Sequence, residues 1–209
     1  MKFVLIGFSG TGKSFWSARL ANECGFRWIC CDDLIEKKLA QALPRGSSGI
    51  SDVAAWMGEP YDDGFAVRES LYLECESGVL RECLAFPSSL DNAVLDTTGS
   101  VIYCDSSLLT ELKKFGPIVY LEVTENALDE MYQRYLEDPK PVIWRDSYRP
   151  REGEAGEETL KRCYPNLLRY RAEKYRELAD VTLQYDELQS SDLTAKAFLE
   201  LVASGTSAR

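Results

Sequence analysis

An α/β fold with a five-stranded parallel sheet is predicted by three observations. Five short apolar runs have the length of strands: Phe3 to Ile6, Phe26 to Ile29, Ala93 to Leu95, Ile118 to Val123 and Val181 to Leu183. Helical patterns separate them, and strands alternating with helices form a parallel sheet covered on both faces. The first run leads directly into Gly7-Phe8-Ser9-Gly10-Thr11-Gly12-Lys13-Ser14, a G-x-x-x-x-G-K-S phosphate-binding loop, or P-loop. The predicted architecture is a P-loop three-layer sandwich in one domain, 1–209, with a mobile lid.

Taken in order, the helix behind the loop shows Ser17, Leu20, Ala21 and Cys24 at i, i+3, i+4, i+7, and Gly25 ends it. The second strand runs into Asp32-Asp33, which opens another helix. Pro44 to Ser51 is a Gly/Ser-rich connection. From about Asp63 to Leu84, Val67, Leu71, Cys75, Val79 and Cys83 step by four, which predicts a helix with those residues on its core face. The third strand ends in Asp96. Residues 138–158 hold Pro139, Pro141, Pro150, Gly153 and Gly156 among many charges, a stretch long enough for a lid. A last amphipathic helix is expected from Ser191 to Val202, with Ser204 to Arg209 frayed.

A net charge of −10 opposes a broad nucleic-acid-binding face, which would need phosphate-neutralising cations. Seven cysteines with no C-x-x-C pair read as reduced thiols, mostly core fillers, in a cytosolic compartment. The absence of histidine removes a His general base, a Ser-His-Asp triad and a His-ligated metal. With the first strand beginning at Lys2 or Phe3, no transit peptide is expected, and no apolar stretch approaches the ~20 residues that span a bilayer. The expectation is a cytoplasmic protein, a monomer or small homo-oligomer, with a small-molecule partner and neither nucleic acid nor membrane.

The P-loop points to a nucleoside triphosphate. Backbone N–H groups of Gly7, Ser9, Gly10, Thr11 and Gly12 turn inward around phosphates, Lys13 reaches the β/γ oxygens and Ser14 offers a hydroxyl to Mg²⁺. In open α/β sheets ligands bind beyond the carboxyl ends of the strands, so Asp32 and Asp33 face this loop. Either could orient a substrate hydroxyl, accept its proton or hold Mg²⁺ through water, or it could cap the helix. Asp96, at the end of an apolar strand, has the Walker-B arrangement and is a metal candidate with Ser14.

The order of these motifs resembles the shikimate kinase family of small P-loop kinases. The P-loop and Asp32-Asp33-Leu34-Ile35-Glu36 are similar to that family's nucleotide loop and D-x-D-x-x-I-E segment. Gly58-Glu59 with Phe65 and Arg68 resembles G-E-x-x-F-R, Thr98-Gly99 the T-G-G-G turn, and Lys140-Pro141-Val142-Ile143 the lid's R-P-L-L. Arg171-Ala172-Glu173-Lys174-Tyr175 with Ala179-Asp180 resembles the R-x-x-x-Y…A-D segment. The resemblance implies ATP and Mg²⁺ as cofactors and phosphoryl transfer to a hydroxyl of a small carboxylated metabolite, shikimate first. It makes Lys13 and Asp32 catalytic, with Asp32 on the substrate hydroxyl, Arg171 on its carboxylate, and Gly99 and Arg68 in the substrate site. Lys140, Arg145, Arg149 and Arg151 lie in or beside the lid, and one or two of them would reach the γ-phosphate on closure, with Lys140 taken for nucleotide binding and Arg149 for catalysis. A substrate-binding helical region would cover about 32–84.

The chain departs from the family pattern at two places. Cys30 stands where the first Asp of D-x-D is expected, and a thiol is a poor ligand for Mg²⁺; Asp96 would then take the metal role. Thr98, Gly99 and Ser100 stand where three glycines are expected, which reshapes the substrate floor. These departures leave two alternatives: a kinase for another metabolite, nucleoside or nucleotide, and a nucleotide-binding regulatory protein that transfers nothing.

Overall fold

The computed structural model describes residues 1–43, 49–85, 91–137, 139–190 and 192–207. In chain order the elements are β1 (Lys2–Ile6), α1 (Lys13–Cys24), β2 (Arg27–Cys30), α2 (Cys31–Leu39), α3 (Ile50–Met57), α4 (Phe65–Leu84), β3 (Ala93–Asp96), α5 (Ser106–Phe115), β4 (Ile118–Glu122), α6 (Glu125–Glu137), α7 (Gly156–Leu178), β5 (Val181–Gln184), α8 (Tyr185–Leu188) and α9 (Ala195–Ser207). Single 3₁₀ turns lie at Val101–Tyr103 and Arg145–Ser147. All five predicted strands are present within a residue or two.

The sheet runs β2-β3-β1-β4-β5 and every pairing is parallel. From β1 the chain crosses to the edge strand β2 and returns to β3 between β2 and β1, then passes to β4 and β5 on the other side of β1. Such a switch point opens a crevice beyond the strand's carboxyl end, and the P-loop lies there. Side chains alternate across a strand, so Phe3 and Leu5 join α1 and α9 in one core layer, with Trp16, Leu20 and Phe198. Val4 and Ile6 join the opposite layer, with α2, α4, α5 and α7. Both layers are needed because a fully parallel sheet is apolar on both faces.

Helix α1 ends as expected at Gly25, whose φ of 69° is the left-handed conformation that closes helices without a Cβ penalty. The predicted face of α4 is corrected. Val67 and Leu71 are exposed, and the buried residues are Phe65, Glu69, Tyr72, Glu76, Val79, Leu80 and Cys83. A step of four advances about 40° per repeat around an α-helix, so Val67 and Cys83 end on nearly opposite sides. Helix α4 starts at Phe65 rather than Asp63, and α9 starts at Ala195 and stays helical through Ser207. Residues 44–48, 138, 191, 208 and 209 of the expected connection, lid and tail lie outside the described residues. All seven cysteines are free thiols, buried or half-buried. No described helix is long and apolar enough to cross a membrane.

Candidate active site

The P-loop is shaped by its own backbone. Gly7 has φ 142°, and a Cβ there would stand 3.0 Å from the Leu121 carbonyl oxygen. Gly12 has φ 89°, which lets the loop turn into α1. Within this turn Lys13 Nζ donates to the carbonyls of Gly7 (2.9 Å) and Phe8 (2.8 Å), and Thr11 Oγ1 donates to Phe8 O at 2.9 Å. Lys13 is buried, and that burial lowers its pKa against the opposing pull of Asp96 and Asp32. The amine thus sits at the α1 N-terminus, between the loop's carbonyls and two carboxylates.

Asp96 closes β3 beside this amine. Its carboxylate accepts from Trp28 Nε1 at 3.2 Å, while burial raises its pKa against the opposing influence of Lys13, Ser14 and Trp28. Asp32, in the first turn of α2, is pushed up to about 6, chiefly by burial, with Lys13 and Lys140 pulling it down. Cys30 is a neutral thiol pushed up to about 12 by burial. Ser14 and Asp96 are hard oxygen donors on either side of Lys13, a set that fits Mg²⁺, which takes one or two protein oxygens alongside substrate phosphates. No cluster of three or more His, Cys, Asp or Glu among the described residues could hold a metal alone.

A cavity of about 440 Å³ adjoins the loop. Ser9, Gly10, Lys13 and Ser14 form one side; Asp32, Gly99, Arg171 and Lys140 share it. Arg171 is buried, with Nη2 donating to Ile143 O at 2.6 Å, and its Nε has no partner among the described residues. Tyr175, one turn along α7, donates its hydroxyl to Gly99 O. Asp180 instead joins strand ends: Ile118 N donates to its Oδ2 at 2.9 Å. The sequence match at Ala179-Asp180 therefore marks a structural joint.

Two candidates lie elsewhere. Arg68 Nε donates to Met57 O at 2.9 Å, and the residue does not line the cavity. Arg149 is exposed, with Nε on Asp146 O at 2.8 Å, and its carbonyl accepts from Arg162 Nη2 at 2.7 Å. The inner part of the predicted lid is tied down instead. Buried Glu69 accepts from Trp144 N at 2.6 Å and Arg145 N at 3.0 Å, and Arg145 holds a positive φ of 48° there. Sequence reading missed this anchor, and it missed Tyr72, Met131, Tyr135, Tyr164 and Leu168 in the cavity wall. Buried acids inside an otherwise apolar helical face, Glu69 and Glu76, were the available signal.

No family model matches the chain. Among curated proteins, shikimate kinase of Actinobacillus pleuropneumoniae is 30% identical over 199 residues, covering 95% of this chain and 93% of that protein. Shikimate kinase of Haemophilus influenzae is 26% identical over 198 residues, 95% of this chain and 90% of the relative. Shikimate kinase of Acinetobacter baumannii in complex with shikimate superposes with a TM-score of 0.60 at 24% identity, over 97% of this chain and 93% of that one, a likeness of fold.

Proposed function

Since the chain belongs to the shikimate kinase family, we propose that it transfers the γ-phosphoryl group of ATP to a hydroxyl of shikimate. It is a phosphotransferase acting on an alcohol group. One observation carries the reading of its site: P-loop residues and Asp32, Gly99 and Arg171, far apart in sequence, line a single cavity.

In this reading, the P-loop amides and Lys13 bind the triphosphate and neutralise charge as it moves through the transition state. Ser14 and Asp96 would hold Mg²⁺, whose charge offsets that on the phosphate oxygens. Asp32, with a pKa near 6, is ionised at neutral pH and receives the proton of the attacking hydroxyl. The neutral Cys30 thiol leaves the carboxylate role to Asp32 and Asp96. Arg171 presents its guanidinium to the acceptor carboxylate, a geometry arginine suits through paired donors. Lys140 lines the cavity and is assigned to the phosphates; Arg149 would reach them only through movement of residues 139–158. We place the reaction in the cytoplasm.

Coupled ADP release with Mg-ATP tests the proposal across shikimate, related hydroxy acids, sugars and nucleosides. Strong stimulation by shikimate is expected. Stimulation by another acceptor alone would replace the substrate, and ATP binding with no stimulated turnover would remove the kinase reading.

A further inference from the structure

Glu76 lies in the middle of α4, 2% exposed, and does not line the cavity. A buried carboxylate needs compensation because desolvation penalises its charge. Here the compensation comes from one turn. The hydroxyls of Thr98 and Ser100 both donate to Glu76 Oε1, the second at 2.8 Å, while Ser100 N donates to Thr98 Oγ1 at 3.2 Å. Glu76 Oε2 has no partner among the described residues, so the acid's contacts are concentrated on the Thr98-Gly99-Ser100 turn.

That turn is clamped from both sides. Glu76 draws the two flanking side chains toward α4, and Tyr175 of α7 holds the Gly99 carbonyl. Gly99 is left pointing at the site: a Cβ on it would lie 3.7 Å from Ser9 N of the P-loop and 3.8 Å from Arg171 Nη1. A small shift of the turn would therefore change the space between the phosphate loop and the carboxylate-binding arginine.

We propose that Glu76 is a positioning residue for the phosphoryl acceptor: by taking the hydroxyl hydrogens of Thr98 and Ser100 it fixes the Gly99 turn and thereby sets acceptor affinity. The proposal rests on the kinase reading above. Burial pushes the Glu76 carboxyl up to about 7, with the two hydroxyls and Arg171 opposing and Asp32 reinforcing the rise. Its charge is therefore held mainly by the turn it organises.

The test is a mutant cycle with shikimate and Mg-ATP. Glu76→Ala should raise KM for shikimate about tenfold while KM for ATP stays within about twofold, and Glu76→Gln, which keeps an accepting carbonyl, should restore most of the loss. In a Thr98→Val/Ser100→Ala background, Glu76→Ala should add under about twofold, since contacting residues are non-additive. Equal effects on both substrates, or an undiminished effect in that background, would overturn the proposal. Should Glu76→Ala not fold, Glu76→Asp, whose shorter side chain withdraws the carboxylate from both hydroxyls while leaving the cavity-lining Thr98 and Ser100 in place, carries the test, with the same selective rise expected. Hydrogen exchange of backbone 97–103 needs no substrate and separates the two readings. Faster exchange there in Glu76→Ala, with β1 and β4 unchanged, supports the turn's dependence on Glu76, and unchanged exchange overturns it. A wild type with normal protection that phosphorylates no shikimate overturns the substrate reading alone.

Discussion

The two sides of the cavity are made differently. The phosphate side is a contiguous stretch, Gly7 to Ser14, whose shape comes from glycine dihedrals and short-range bonds such as Lys13 to Gly7 and Phe8. The acceptor side is assembled from α2, α4, the turn after β3, residues 139–145 and α7, and buried polar groups hold those pieces together. Glu69 fixes the backbone of Trp144 and Arg145, Glu76 fixes the Thr98-Gly99-Ser100 turn, and Arg171 fixes Ile143. The difference teaches that the nucleotide end depends on local geometry, whereas the acceptor end depends on long-range satisfaction of buried charge.

Removing the phosphate side should have the largest effect. Lys13→Ala should lower phosphoryl transfer at least ~10³-fold, read as ADP release, because its charge is spent on the transition state; retained activity would break the contrast at its stronger end. Asp32→Asn should keep ATP affinity and lose about 10²–10⁴-fold in kcat. In the wild type, kcat/KM should fall as pH drops through about 6, where Asp32 takes up a proton, and a pH series on both proteins checks whether the Asn variant loses that limb.

On the acceptor side, Glu69→Ala leaves the buried amide of Trp144 and the half-buried amide of Arg145 without their acceptor and should cost about 1–3 kcal/mol in urea unfolding, with faster exchange at both. A smaller effect is expected from pH. The folded-state pKa of Glu76 is raised above its ordinary 4.5, so the folded chain binds this proton more tightly than the unfolded one. The stability it contributes is greatest at low pH and declines as pH rises from about 4.5 to about 7. Thermal melts should therefore show the wild type losing stability relative to Glu76→Gln between pH 5 and pH 8. The groups acting on Glu76 are Thr98, Ser100, Asp32 and Arg171, and repeating the pair in an Asp32→Asn background separates the Glu76 contribution from the linked titration of Asp32. The smallest expected loss is from Arg149→Ala, below that from Lys140→Ala, since only Lys140 lines the cavity. A larger effect at Arg149 would mean that the outer part of 139–158 swings inward during turnover.

The strands and the P-loop were legible because apolar runs and glycine spacing are properties of neighbouring residues. The face of α4 was less so. A count by fours selected Val67 and Leu71, which face solvent, and passed over Glu69 and Glu76, whose charge argues for exposure until their partners are known. Arg68 and Arg149 matched a pattern or a composition, but their guanidinium groups are engaged with Met57 and Asp146.

The sequence by itself determined a parallel α/β fold, a triphosphate loop at its first strand and the carboxylates Asp32 and Asp96 at strand ends, since period, turn chemistry and strand polarity act over a few residues. Tertiary structure alone decided which arginine enters the cavity, which helix face is buried and why two acids lie within α4. Those outcomes depend on groups such as Glu76 and Ser100, or Glu69 and Trp144, that are distant in the chain and meet only when burial forces each polar atom to find a partner.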